Sequence, residues 1–516
     1  MRAVIVRTMR SFLRVVCLGA GLGLLGVSIP AEAAADSAGR LSADLGSIHF
    51  PNSGAAEAQA AFLTGMKALH SFEFEDAGEA FREAQAIDPD FGLAYWGEAL
   101  SYNHPLWSEQ NRGAALAALA RYARKPKARA ARMPPGRERG LMEAVDVLYA
   151  SGDKLSRDVA YSEAMRHLHE AYPEDDEIAT LHALSLLGTV RRGDKGFGRQ
   201  VRAGAIALQV FARSPKHPGA AHFIIHAFDD PEHAILALPA AKAYAEIAPA
   251  APHALHMPSH IFVQLGMWEG VVASNDASYR AALDHVERKG LPRGRSEFHS
   301  LQWYHYGQLQ LGNEAMARWA LDEALRTLET FPSGRVRIGT MRILARHILE
   351  TERWSEFDHG ILTDADRGHS ALQLAAGLSA VHTGNLDAAQ AALANIRAAR
   401  KRFEGKASTA YRARIAAVEE KELESALASA RGDDDSAEQL LVEAATLESK
   451  LNTPSGPPRP VKPAHEMYGE FLLSRGRLEE AVAQFAKALE RTPNRTRSVQ
   501  GLERARRHSS DVSLRQ

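Results

Sequence analysis

The chain has 516 residues and a single cysteine, Cys17, which lies in a stretch that we expect to be removed. Disulfide frameworks, cysteine nucleophiles and thiolate metal sites are therefore excluded for the remaining chain. The formal net charge of −1, or −4 without residues 1–33, gives no general attraction to nucleic acid or anionic lipid, so we expect neither partner.

The first 33 residues have the pattern of a secretory signal peptide. Four arginines precede a mostly apolar run over residues 15–29, and small residues around Ala33 offer a cleavage site. This run is too short for a confident membrane span, and no later stretch reaches the roughly 18 apolar residues that a span needs. We expect a periplasmic or secreted protein without a membrane span, whose mature chain begins with a flexible segment at residues 34–57.

From residue 58 onward, apolar residues follow helical spacing, and small residues recur in a frame of 34 residues. In residues 462–494, positions 8, 15, 20, 24, 27 and 32 of the frame are Gly469, Gly476, Ala481, Phe485, Ala488 and Pro493. In residues 58–90, positions 8, 20, 24, 27 and 32 are Gly65, Ala77, Phe81, Ala84 and Pro89. The pattern resembles the tetratricopeptide repeat (TPR). The resemblance implies an all-α fold, a TPR-type solenoid of helix hairpins stacked as a right-handed superhelix.

The spacing of these units divides the chain into three parts. Residues 58–345 are predicted to form an amino-terminal array, and residues 346–452 to form the middle repeats. Residues 453–516 contain a proline-rich linker, the final repeat and a polar capping helix. We interpret the linker as a stiff spacer, with an exposed polyproline ligand as the alternative.

Four histidines stand out when residues 217–264 are placed in this frame. His222 and His226 take positions 5 and 9 of one first helix, and His256 and His260 take the same positions 34 residues later. Two imidazoles at i and i+4 lie on one helix face at a spacing that can chelate a metal ion. Adjacent packed helices would bring the two pairs together, and such a site suits Zn, Cu, Ni or Fe better than Mg or Ca. The alternatives are histidines that bind a non-metal ligand, and purely structural histidines.

Further polar residues are predicted to face the same concave groove because they share its side of the repeat. These groove candidates are His104, Asp229, Asp230, His253, His299, Tyr306 and Glu466. Pro258 adds a second question, since a proline inside a helix removes a backbone hydrogen bond. We expect it to bend the helix and free the carbonyl of Ala254, unless it lies early enough in the helix to be tolerated.

The segments AYWGEALSYNHPLW, HPGAAHFIIHAFDDP, APHALHMPSHIFVQLGMW and KPAHEMYGE together resemble a family of exported bacterial TPR proteins with paired HxxxH helices, distantly similar to tetratricopeptide repeat protein 38. The resemblance implies a fold and a shared groove but no reaction. The first hypothesis is therefore an exported solenoid that binds a peptide, protein or small polar ligand in a histidine-rich groove, with or without a divalent metal. The alternative is a metal-dependent enzyme with a multi-histidine site and catalytic residues that the sequence does not identify.

Overall fold

A computed structural model describes residues 45–191, 194, 196–295, 298–406 and 409–513, with the side chains of residues 295 and 508–513 left out. The predicted signal peptide and residues 34–44 lie outside the described residues. Residues 45–50, part of the segment that was expected to be flexible, pack against the protein, because Leu45 and Phe50 are buried in the main apolar core. Ser47 also donates its backbone N–H to the carbonyl of Lys216 at 3.0 Å.

The described chain is mostly helical, with almost no sheet, as predicted. The helices of its first half are α1 Gln59–His70, α2 Phe74–Ile87, α3 Gly92–Ser101, α4 Arg112–Tyr122, α5 Pro126–Arg132, α6 Arg137–Leu148, α7 Lys154–Ala171, α8 Asp176–Gly188, α9 Gly198–Arg213, α10 Pro218–Ala227, α11 Ala234–Ile247, α12 Pro252–His256 and α13 Pro258–Gln264. Those of the second half are α14 Trp268–Arg288, α15 Phe298–Gln310, α16 Glu314–Thr330, α17 Gly334–Thr351, α18 Ser370–His382, α19 Leu386–Phe403, α20 Ala410–Ala430, α21 Asp434–Glu448, α22 Ala464–Ser474, α23 Leu478–Arg491 and α24 Thr496–Ser513. A small antiparallel pair, β1 Asn103–His104 and β2 Glu109–Gln110, interrupts the helices.

In the first and last repeats, glycines let neighbouring helices pack closely around one phenylalanine. A Cβ atom added to Gly65 on α1 or Gly97 on α3 would lie 2.8 or 2.4 Å from the ring of Phe81 on α2. In the last repeat, a Cβ at Gly501 would lie 2.4 Å from Phe485. Real Cβ atoms do not approach a ring so closely, so each of these phenylalanines requires glycine at the facing positions of the adjacent helices. The small residues of the repeat frame therefore have a packing role in these repeats.

The helices stack in chain order, but both ends of the array return to its middle. Helix α1 packs against α10, far along the chain. At the other end, the side chain of Gln264 donates to the carbonyl of Pro454 at 2.9 Å, and Trp268 donates to that of Asn494 at 3.1 Å. Thr496 at the start of α24 donates to the carbonyl of Gln310 at 2.6 Å. The solenoid is therefore wound tightly enough for side chains of distant repeats to form hydrogen bonds with each other.

Apolar contacts in the described chain form two large clusters that meet at α14 and α15. This divide lies on the amino-terminal side of the array boundary that we predicted at residues 345 and 346, which falls inside α17. Within the described residues, none of the helices is long and apolar enough to cross a membrane.

Candidate metal centre

Three histidines form what we call the first imidazole site: His222 and His226 on α10, and His253 on α12. One ring nitrogen of each lies within 4.8 Å of the corresponding nitrogens of the other two. The Nε2 atoms of all three are buried and have no hydrogen-bond partner in the described part of the chain. A buried ring nitrogen without a partner is costly, so three that converge require an explanation.

The tautomer of His222 is fixed by the first repeat. Its Nδ1 lies 2.6 Å from the carbonyl oxygen of His70 at the end of α1, so Nδ1 carries the proton and donates it. The lone pair is therefore on Nε2, which faces the other two imidazoles. Metal-binding histidines are usually held in this way, with one ring nitrogen donating to a carbonyl or carboxylate and the other free to coordinate.

Burial keeps the first imidazole site neutral. It lowers the pKa of His222 to about 3, an effect that the hydrogen bond to His70 opposes only in part. The pKa values of His226 and His253 are also well below their usual range, because burial and the neighbouring imidazoles both disfavour the cation. Neutral imidazole is the form that binds a metal ion.

The second imidazole site consists of His256 at the end of α12, His260 on α13 and His299 on α15. His256 Nδ1 lies 2.6 Å from Asn275 Oδ1, and His260 Nδ1 lies 2.7 Å from Asp229 Oδ2. Both oxygens accept, so both Nδ1 atoms carry protons. The two Nε2 atoms then face each other at 3.2 Å with lone pairs only. Two acceptors at this distance repel unless a cation lies between them, and either a proton or a metal ion would serve.

Pro258 divides the helix that carries these residues. Helix α12 ends at His256 and α13 begins at Pro258, where the missing N–H would have no helical partner in any case. Because proline cannot donate, the carbonyl of Ala254 receives no hydrogen bond from it. His260 instead donates its N–H to the carbonyl of Met257, three residues back, at 3.1 Å. The expected break is therefore present, and His256 and His260 lie on its two sides.

The two sites adjoin, but they are not the single four-histidine site that the spacing predicted. The rings of His226 and His260 are 6.0 Å apart, and those of His253 and His256 are 6.2 Å apart. The ring nitrogens form two groups of three. Each group consists of one HxxxH pair and one further histidine that was predicted only as a groove residue. His253 joins the first pair, and His299, which remains open to solvent, joins the second.

The other predicted groove residues have different positions. Asp229 is adjacent, since it accepts from His260 and from Gln264. Asp230 faces away and accepts from the backbone of residues 232 and 233 at the start of α11. His104 stacks on Phe74, with ring centroids 4.1 Å apart.

Two further groove candidates lie at the returning carboxyl-terminal end. Glu466 is fully buried in a two-pronged ion pair with Arg495, at 2.7 and 2.9 Å. Tyr306 is buried against Trp268, with ring centroids 5.5 Å apart. The repeat frame placed both residues in an open groove, but α24 and the linker occupy that space.

Aromatic residues that the sequence did not single out as site residues surround both imidazole sites. The ring of Trp303 lies 4.5 Å from that of His260 and 5.0 Å from that of His256. The linker covers Trp303, since a Cβ at Gly456 would lie 2.3 Å from its ring. Phe72 lies 4.3 Å from His222 between ring centroids. The sequence does indicate that Phe72 is unusual, because it takes position 15 of the repeat frame, where the last repeat has Gly476.

A separate buried group, here called the clasp, joins three distant helices. Glu177 at the start of α8 accepts from His70 Nε2 at 2.8 Å, and its other oxygen lies 3.2 Å from His217 Nε2. His217 also caps α10 by accepting from the backbone of Ala220. Burial alone would raise the pKa of Glu177, but the two imidazoles hold it below its usual value. The clasp fixes His70, whose carbonyl orients His222.

Comparisons with known proteins give no family. No protein-family model matches the chain, and no curated protein matches it. Similar solved structures include yeast Tom70, with 12% identity over 89% of this chain and 97% of that chain and a TM-score of 0.36. They also include the Cut9-Hcn1 hetero-tetramer, with 14% identity over 88% of this chain and 78% of that chain and a TM-score of 0.33. The TPR domain of P58(IPK) has 14% identity over 89% of this chain and 99% of that chain, with a TM-score of 0.22. The assignment to the TPR type follows from the helix hairpins described above.

Proposed function

We propose that this protein is an exported TPR solenoid that binds two transition-metal ions, one in each imidazole site. The observation that carries the proposal is the set of Nε2 lone pairs. Three converge without partners in the first site, and two face each other in the second. Imidazole donors suit Zn, Cu, Ni or Fe, and three ligands per ion leave a coordination position for a small polar ligand.

The alternative is a metal-dependent enzyme, which two features favour. Three-histidine sites with an open position are typical of catalytic rather than structural zinc. In addition, Asp229 accepts from His260 Nδ1, a carboxylate–histidine pairing that orients metal ligands and raises their basicity. Repeat solenoids commonly bind a peptide or a protein, and either proposed activity is compatible with such binding. Export rests on the amino-terminal signal pattern.

The test is the metal content of the purified protein after incubation with Zn²⁺ or Cu²⁺ and removal of the excess. We expect two ions per chain. His226→Ala and His299→Ala should each retain one ion, and the double variant should retain none. His167→Ala is the matched control, because its side chain is 63% exposed on α7 and it belongs to neither site. Wild-type protein without bound metal, or equal loss in the control, would refute the proposal.

A further inference from the structure

Three exposed arginines form a surface beside the second imidazole site. We call it the arginine face: Arg335 and Arg342 on α17, and Arg459 in the linker. At about 100° per residue, Arg335, Gly339 and Arg342 lie on one side of α17, within about 60° around its axis. That side faces the start of α15, because a Cβ atom at Gly339 would lie 3.0 Å from the ring of Phe298. The residue after Phe298 is His299 of the second imidazole site.

Contacts of the linker bring Arg459 to the same place. Arg346, on the same side of α17, donates to the carbonyl of Pro458 at 3.0 Å. Two residues earlier, Gly456 lies against the ring of Trp303 on α15. Arg459 therefore follows a stretch of chain that is held against both α15 and α17.

The charges of the arginine face act on the second imidazole site. The pKa of His299 falls to about 3, first because its ring is partly desolvated, and then because of the charges of His260 and of the arginine face. These same charges would repel a metal ion held by His299. An anion between the metal ion and the arginines would offset that repulsion.

Arg335 and Arg342 have no carboxylate partner in the described part of the chain. Arg337, on the other side of α17, pairs instead with Asp366. The pKa of Arg342 falls to about 10, first through desolvation and then through the charges of two neighbouring arginines. Guanidinium groups that lack a carboxylate partner and lie together are suited to phosphate, since their planar N–H donors match its oxygens.

We propose that the arginine face binds a phosphate group, free or as a monoester, at the solvent-facing side of the second imidazole site, and that a phosphate oxygen takes the open coordination position of the metal ion there. The second half of this proposal rests on the proposed function, whereas the first half does not. Phosphate is favoured over a carboxylate because a phosphate ester carries about 1.5 to 2 negative charges at pH 7 and has three strong acceptor oxygens. It can therefore contact several guanidinium groups and a metal ion at once.

Inorganic phosphate is the first probe, with binding to the metal-free protein measured by calorimetry at constant ionic strength. Arg342→Gln should weaken this binding by about tenfold or more, because it removes one guanidinium group and leaves no carboxylate unpaired. The matched control is Arg202→Gln, the same change at an exposed arginine of α9 that belongs to neither imidazole site. Circular dichroism of both variants confirms that they are folded. Acetate, with a single charge, should bind at least about tenfold more weakly than phosphate.

Three results would overturn the assignment of the arginine face. They are absence of phosphate binding to the metal-free protein, equal weakening by both arginine variants, and acetate binding as tight as that of phosphate. Phenyl phosphate then distinguishes the two sources of the phosphate group. Binding within about tenfold of that of inorganic phosphate indicates a monoester, and weaker binding indicates free phosphate.

Zinc tests the second half of the proposal. In wild-type protein, bound Zn²⁺ should tighten phosphate binding by about tenfold or more. His299→Ala, which should retain only the ion of the first imidazole site, should bind phosphate without that gain. Zinc that binds to the second site but does not tighten phosphate binding overturns the coordination of phosphate to the metal ion. Failure of zinc to bind at all refutes the proposed function, whereas phosphate binding to the metal-free protein would still support the arginine face.

Discussion

Replacement of Glu177 by glutamine tests whether the clasp supports both the fold and the first imidazole site. The carboxylate is fully buried between His70 and His217. Glutamine keeps the shape but removes the charge from both contacts. A hydrogen bond to a charged group contributes about 1.5–3 kcal/mol, and a neutral one about 0.5–1.5 kcal/mol. Only the contact with His70 has hydrogen-bond geometry, so we expect a loss of about 1–2 kcal/mol of unfolding free energy.

Urea denaturation of the metal-free protein measures this loss, and chelator competition measures the affinity for Zn²⁺. We expect the first imidazole site of Glu177→Gln to bind Zn²⁺ about tenfold more weakly, because His70 orients His222 and outer hydrogen bonds of this kind matter by such factors. The control is Glu163→Gln, which removes an exposed carboxylate of α7 that pairs with Arg166 and should change neither quantity measurably. Unchanged stability and zinc affinity in Glu177→Gln would show that the clasp does not hold α1 to α10.

Three other predictions follow from the same contacts. Asp229→Leu should weaken zinc binding at the second imidazole site about 10- to 100-fold, measured by chelator competition, while Asp230→Leu should leave it unchanged. Glu466→Ala should lower the unfolding free energy by about 3 kcal/mol, the low end for a broken buried ion pair, because buried Arg495 keeps only Glu350 as a carboxylate partner. Full metal content should persist, and lost metal would contradict the separate location of Glu466. Burial raises the pKa of Glu419 from 4.5 to about 7. Between these pH values the folded protein keeps the proton on Glu419, whereas the unfolded chain releases it. The free energy of unfolding therefore falls as the pH rises from 4.5 to about 7. Glu419→Gln should then be more stable by about 3 kcal/mol above pH 7 and by little below pH 4.5, and equal gains at both values in urea titrations would contradict the shift.

The repeat frame predicted the parts of the molecule that depend on local spacing. It placed the hairpins, the small residues against Phe81 and Phe485, and two histidine pairs on neighbouring first helices. It also predicted that His253 shares their surface, since positions 2, 5 and 9 fall on one side of a helix. These features follow from periodicity alone, because a side chain's direction on a helix is fixed by its residue number.

Contacts between distant repeats could not be predicted in this way. The division of the imidazoles into two groups of three depends on how α12 breaks at Pro258 and how α15 crosses it. The predicted groove at Glu466 is filled because Arg495, which immediately precedes the last helix, reaches it from 29 residues further along the chain. The carbonyl of His70 reaches His222 only because the superhelix closes on itself, over a separation of 152 residues. No periodic pattern encodes how tightly a solenoid winds.

This winding restricts how the protein can evolve. Arrays of repeats commonly gain or lose whole units, since each unit contacts only its neighbours. Here a hairpin inserted or deleted between α1 and α8 would separate His70 from both Glu177 and His222. One inserted between α15 and α24 would move Thr496 away from Gln310. We therefore expect natural variants of this chain to differ by substitution and by loop length, and to conserve the number of hairpins within each of these two closed loops.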